Sequence, residues 1–264
     1  MSRRLLNIIN NANSNLPMNK KFLVDLMSAI ERTEMKNRRK GSNWYKPSGL
    51  ACMRSMYFVR TGAEKDSSPT EYQMIGMADT GTRRHEAIQE VLLNMKELGY
   101  DWEYVDVEKY IKNMQSRGYC QTVKVLGKRG VETHLFDDTL KTSFMCDGII
   151  RKISTNEYFL FEFKNQTSFK WSGKECVDLA HHNQVICYCT SLFLDKAFVV
   201  YENRDNCALE CPEVFEVTPD MKKYLVDRIM ECEDYVEKLI APPKTNDDKN
   251  CRWCNYKTIC RKVG

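Results

Sequence analysis

Proline is scarce in this chain, at seven in 264 residues, and glycine stands at twelve. So little of either excludes a collagen-like repeat and a proline-rich flexible chain. Long apolar runs are missing too. The longest nearly apolar stretch, residues 185–194, is half of the roughly 20 residues that a bilayer-spanning helix needs, so no membrane span is expected. Arg3 and Arg4 precede Leu5, Leu6, Ile8 and Ile9, but asparagines interrupt that run and no small-residue cleavage site follows. A cytoplasmic location is therefore expected. A phosphate-binding Gly-Lys-Thr loop, the mark of a helicase motor, is also lacking.

What is present is an ordinary globular balance, with 42% hydrophobic and 29% charged residues. The net charge of +4 is unevenly spread: the first 60 residues hold 12 Lys/Arg against 3 Asp/Glu. A basic front of this kind suits a polyanion, although a solvated basic helix face gives the same pattern. Lys20, Lys21, Lys36, Arg38, Arg39 and Lys40 form the cluster, and Trp44, Tyr45 and Tyr57 beside it are candidates for stacking on unpaired bases.

Hydrophobic periodicity predicts helices over 18–39, 80–99, 175–193 and 219–240, with Ser48 opening a short one. It predicts strands over 119–126, 131–136, 142–151 and 158–164, successive in one mixed sheet, with further strands at 196–201 and 214–217. This describes an α/β chain with a central mixed β-sheet flanked by helices. Three regions are expected: a basic helical region over 1–79, a core over 80–240, and a terminal cysteine segment over 241–264.

In residues 158–164, Phe159, Phe161 and Phe163 alternate with Leu160, Glu162 and Lys164, so a strand sends Glu162 and Lys164 to one face. Asp147 interrupts another apolar strand, where an isolated carboxylate needs a partner such as a divalent cation. Asp and Glu on adjacent strands can hold Mg²⁺ or Mn²⁺, with a lysine placed to stabilise charge on phosphate. Glu162 and Lys164 alone also fit a salt-bridged surface strand, and Glu34-Met35-Lys36 repeats the pattern in a helical segment without a partner Asp. His85 shares a helical stripe with Ile88 and Leu92, Gln184 and Tyr188 lie one turn apart, and Glu132 is a further candidate carboxylate. His181 and His182 read as helix-start residues.

In this order, Gly81-Thr-Arg-Arg-His85, Asp147-Gly148, Glu162-Phe163-Lys164 and Gln184-Val-Ile-Cys-Tyr188 resemble the successive motifs of the RecB-type PD-(D/E)xK nucleases. Cys146 stands where that family often has glycine. The resemblance implies a restriction-endonuclease-like core in which His85, Asp147, Glu162 and the Phe163 carbonyl bind the metal. It makes Lys164 catalytic and gives Gln184 and Tyr188 the DNA-side wall. It implies a DNA exonuclease or end-processing enzyme preferring single strands, acting in recombination, replication, repair or CRISPR adaptation with a helicase or adaptation partner. A phage-encoded member would work in the host cytoplasm. The competing class is a noncatalytic DNA-binding or assembly subunit that keeps the fold.

Twelve cysteines in a reducing compartment argue for metal ligation rather than disulfides. Cys251, Cys254 and Cys260 form a C-x2-C-x5-C set without a local fourth ligand, which favours an iron-sulfur cluster over zinc. Residues 48–58 resemble the segment carrying the first cluster cysteine in AddB-like and CRISPR-associated RecB-type nucleases. The resemblance makes Cys52 the fourth ligand of a 4Fe-4S cluster, closing a helical lobe across 199 positions. A zinc-stabilised interaction module is a third reading. The other eight cysteines are expected in the core.

Overall fold

The computed structural model describes residues 17–37, 41–66, 71–171, 175–245, 251 and 254–263. These fall into two compact units, one drawn from 1–41 and 67–82 and the other from 42–66 and 83–264. The first carries helix α1 (Met18–Asn37), which buries no side chain and leaves Phe22, Leu23 and Leu26 exposed. Within that unit, Glu31 accepts the Tyr72 N–H at 3.1 Å. Arg38, Arg39 and Lys40 lie outside the described residues.

The second unit is α/β. A 3₁₀ turn (Pro47–Gly49) and α2 (Met53–Arg60) precede α3 (Tyr72–Asn94), which begins before the predicted helix and supplies this unit with His85 and the residues after it. Then come β1 (Trp102–Val105), α4 (Val107–Ser116), β2 (Val123–Arg129), β3 (Glu132–Asp137), β4 (Thr142–Cys146), β5 (Gly148–Lys152) and β6 (Glu157–Gln166). The chain continues through α5 (Ser168–Trp171), α6 (Leu179–Leu192), β7 (Lys196–Asn203), β8 (Leu209–Glu210), β9 (Val214–Glu216), α7 (Pro219–Glu237) and α8 (Lys257–Lys262). Among the described residues no helix is long and apolar enough to cross a membrane.

The four successive strands do not share one sheet. β2, β3 and β4 form a small antiparallel sheet, while β1-β5-β6-β7-β8 run in that order through a larger one, with β9 also on β7. The predicted strand over 142–151 is thus two strands, broken at Asp147. β1 and α4 lie where no element was expected: β1 is only four residues long. α4 has a legible signal, since Asp106 caps it by accepting the Lys109 N–H at 2.9 Å and Val107, Tyr110, Ile111 and Met114 are buried at helical spacing.

β6 is covered on both faces, as its parallel pairing with β7 leads one to expect. Phe159, Phe161 and Phe163 pack with Leu92 and Ile88 of α3 and with Met95 just after it. Leu160 instead joins the main core with Val185, Cys189 and Leu192 of α6. Tyr45 and Tyr57 are core residues, 1% and 9% exposed, and Tyr45 donates its hydroxyl to Glu233. Neither offers a stacking platform, while Trp44 packs against Phe136 with ring centroids 4.7 Å apart. The expected core placement holds for Cys146, Cys187, Cys189 and Cys232 but not for Cys176, Cys207 and Cys211, which are exposed in the loops around α6 and β7.

Gly148 is required by close approach. A Cβ there would sit 2.8 Å from the Tyr104 ring, which β1 presses against β5. Gly148→Ala is expected to lower stability by about 1–3 kcal/mol through overpacking, read as the urea midpoint at unchanged slope.

Candidate functional site

The site begins at the break between the sheets. The β5–β6 register pairs Gly148 with Phe161, so one step beyond the end of β5 brings Asp147 beside Glu162. Both carboxylates are buried, at 4% and 2% exposure. Asp147 is clamped on two sides: its Oδ2 accepts the Phe163 N–H at 2.8 Å, and its backbone carbonyl accepts Gln89 Nε2 at 2.8 Å. Because N–H and C=O of one strand residue leave by the same edge, the Phe163 carbonyl points past the end of β5 as well. Gln89 went unnoticed in the sequence, although it lies one turn beyond His85 on α3.

His85 lies against this pair, its ring edge-on to Phe163. Its Nδ1 is 3.3 Å from Asp147 Oδ2 and 3.9 Å from Glu132 Oε1. One donor atom from each of His85, Glu132 and Asp147 lies within 4.8 Å of the others, a spacing suited to one metal ion. Glu132 enters because β3 runs back past Asp147: Thr133 pairs with Cys146, the residue before it.

The second half of the site is a hydrogen-bonded chain. Lys164 Nζ donates to Glu162 Oε1 at 2.6 Å and to Gln184 Oε1 at 3.0 Å. Gln184 Nε2 donates to the same Glu162 oxygen at 2.7 Å and to the Tyr188 hydroxyl at 2.9 Å. α6 therefore fixes the rotamer of the acid and the lysine together. His181 and His182 play no part in it: His181 Nδ1 is 3.0 Å from the Tyr201 hydroxyl and His182 Nε2 is 2.9 Å from the Val177 carbonyl.

The buried carboxylates perturb one another and His85. Burial pushes Glu162 up to about 7, Asp147 pushes in the same direction, and Lys164 opposes both. Glu132 is also raised, by burial first and then by Asp147. Burial alone would lower His85, but the neighbouring carboxylates, Asp147 foremost, raise it. Glu162 Oε2 and His85 Nδ1 are buried without a hydrogen-bond partner, atoms that a metal ion would satisfy.

A consequence follows for stability. Glu162 binds its proton more tightly in the folded protein than in the unfolded chain, where its pKa is near 4.5. The contribution of Glu162 to metal-free stability is therefore fullest below the unfolded value and falls as pH rises toward about 7. The loss is on the order of 3 kcal/mol. A divalent cation held by the ionised carboxylates reverses the trend, so Mn²⁺ is expected to raise the melting temperature more near pH 8 than near pH 5. Thermal melts with Mn²⁺ and with chelator at the two pH values check this; equal shifts would refute it.

Four cysteines gather at a second place. Cys52, which precedes α2, and Cys251, Cys254 and Cys260 line one cavity of about 350 Å³ with Phe58 and Arg261. Arg54, 1% exposed, donates to the carbonyls of Pro242, Cys260 and Val263 and so ties the C-terminal segment to α2. Asp66 N–H to the Asn255 carbonyl, at 2.7 Å, adds a further tie. Burial raises the Cys254 thiol, and Cys52, Cys260 and Cys251 raise it further, so those three sulfurs lie within electrostatic reach of Cys254. Four gathered thiols are a donor set for a soft metal centre.

No protein-family model matches the chain. No curated protein matches it. Among solved structures it is similar to one described as "Crystal structure of SSO0001", with 16% identity and a TM-score of 0.46 over 92% of this chain and 98% of that one.

Proposed function

We propose that this protein is a divalent-metal-dependent DNA nuclease of the RecB-type PD-(D/E)xK kind, with a restriction-endonuclease-like core and a 4Fe-4S cluster closing its helical lobe. The observation that carries the reading is the joining of two half-sites on neighbouring strands. The His85–Glu132–Asp147 donor set adjoins the Glu162–Lys164–Gln184–Tyr188 chain through Asp147 and Glu162.

His85, Asp147, Glu162 and the Phe163 carbonyl would hold Mg²⁺ or Mn²⁺, with Glu132 as an added carboxylate. When bound, the ion supplies Lewis acidity toward a phosphodiester and eases deprotonation of the attacking water. Lys164 would set its ammonium beside the acidic centre, where negative charge develops on the phosphoryl oxygens. Gln184 fixes Lys164 and Glu162 relative to each other, and Tyr188 fixes Gln184.

For the cysteines, the C-x2-C-x5-C spacing with a remote fourth cysteine favours a cluster over zinc, whose sites usually bring a second close pair. All four cysteines line one cavity, as ligands of a single centre would. The substrate that the resemblance implies is a single strand or a DNA end, delivered by a helicase or adaptation partner.

Protein purified without oxygen and incubated with end-labelled single-stranded or duplex DNA tests the reading. Degradation of the single strand with Mn²⁺ or Mg²⁺ and none with chelator is the expected result. DNA binding without cleavage in either metal would replace the nuclease by a noncatalytic DNA-binding subunit.

A further inference from the structure

A second recess, with an apolar floor of Pro47, Phe144 and Met145 and a few polar groups, adjoins the acidic centre. Lys46, Ser48, His134, Ser143, Met145 and Tyr188 border a space of about 290 Å³. Its position follows from strand geometry. Glu132 and His134 are two residues apart on β3, so their side chains leave the same face, about 6–7 Å from each other along the strand. The β3–β4 register pairs His134 with Met145 and Phe136 with Ser143, which puts Ser143 and Met145 on that face too. Tyr188 joins the two places: it borders the recess, and its hydroxyl accepts Gln184 Nε2, the amide that also donates to Glu162.

The chemistry of the recess differs from that of the centre. Lys46 Nζ donates to the Ser143 carbonyl at 3.3 Å and makes no ion pair among the described residues. His134 Nε2 lies 2.9 Å from Ser143 Oγ. An ammonium without a carboxylate, beside hydroxyls and an imidazole, is a set that receives an oxyanion. The neighbouring centre is rich in carboxylates, which repel a polyanion away from the bound metal, so a strand lying across it needs a counter-charge close by. The recess sits one short step along β3 from Glu132, a separation comparable to that of neighbouring phosphates in an extended strand.

We propose that this recess binds the phosphate next to the one being cleaved, with Lys46 as its counter-charge and Ser48, His134 and Ser143 as hydrogen-bonding partners. The proposal rests on the nuclease reading and adds to it the residues that seat the substrate strand. Contacts of this type position the backbone without reading its sequence.

The test measures binding of a labelled single-stranded oligothymidylate to the intact protein in chelator, over a range of salt concentrations, and then the kinetics of cleavage in Mn²⁺. Lys46→Ala is expected to weaken binding about tenfold and to reduce the slope of log affinity against log salt by about one. It is also expected to raise KM more than it lowers kcat, with an unchanged melting temperature, since Lys46 is exposed. Lys46→Arg restores most of the affinity. Lys112→Ala on α4, which removes a lysine paired with Glu108, is the control for loss of a surface charge. Affinity and salt slope for Lys46→Ala no lower than for Lys112→Ala, with wild type cleaving the strand, would overturn the recess alone. A wild type that neither binds nor cleaves the strand in any metal would overturn the nuclease reading and the recess with it.

Discussion

Lys164→Ala is expected to abolish metal-dependent DNA cleavage, lowering the rate by about a thousandfold or more, while the protein still folds. The size follows from where the ammonium sits. It is held at 2.6 Å from Glu162 Oε1 and 3.0 Å from Gln184 Oε1 at the edge of a buried site. A preorganised charge in such surroundings acts on developing charge far more strongly than one in water, and its removal typically costs about 10²–10³ in rate. The same removal takes from Glu162 the cation that opposes its protonation. The carboxyl is then neutral over more of the working pH range and a poorer metal ligand, which adds to the loss. Folding tolerates the change because Glu162 can take up a proton rather than remain a buried, unpaired anion. Single-turnover cleavage, with circular dichroism and thermal melting on the same samples, measures both sides. Cleavage within tenfold of wild type would sink the assignment of Lys164.

Cys254→Ser is expected to have the largest effect on stability. The cysteine cavity draws on Cys52 and on the chain's last residues, so a metal centre there closes a loop of nearly the whole second unit. Binding free energy at such a site is folding free energy, and closure of a long loop adds to it. Loss of one ligand should therefore release iron, remove the brown chromophore, and destabilise the protein by several kcal/mol. The C-terminal segment should become protease-sensitive although Arg54 still holds the carbonyls of Pro242, Cys260 and Val263. Lys164→Ala should keep iron and melting temperature. Unchanged iron and melting in Cys254→Ser would reject the cluster, whereas stoichiometric zinc in the wild type would assign the cavity to zinc and leave the nuclease question to the cleavage assay.

Much of this protein is written locally. The alternation of Phe159, Phe161 and Phe163 with Glu162 and Lys164 marks β6 and its polar positions, because a strand sends successive side chains to opposite faces. The one-turn spacing of Gln184 and Tyr188 sets them on one helical face for the same kind of reason. The C-x2-C-x5-C set is likewise legible, since its thiols are close in the chain whatever surrounds them. Tertiary structure decided what depends on register and closure. It broke the strand at 142–151 so that Asp147 stands between two sheets, and it brought Glu132 to His85 by pairing Thr133 with Cys146. It turned Tyr45 and Tyr57 into core, set Cys52 beside cysteines 199 to 208 positions away, and gathered Lys46, His134 and Ser143 around one recess. Periodicity records only which face of an element is buried; which element lies against that face is settled by contacts between residues far apart in the chain, and no local pattern contains them.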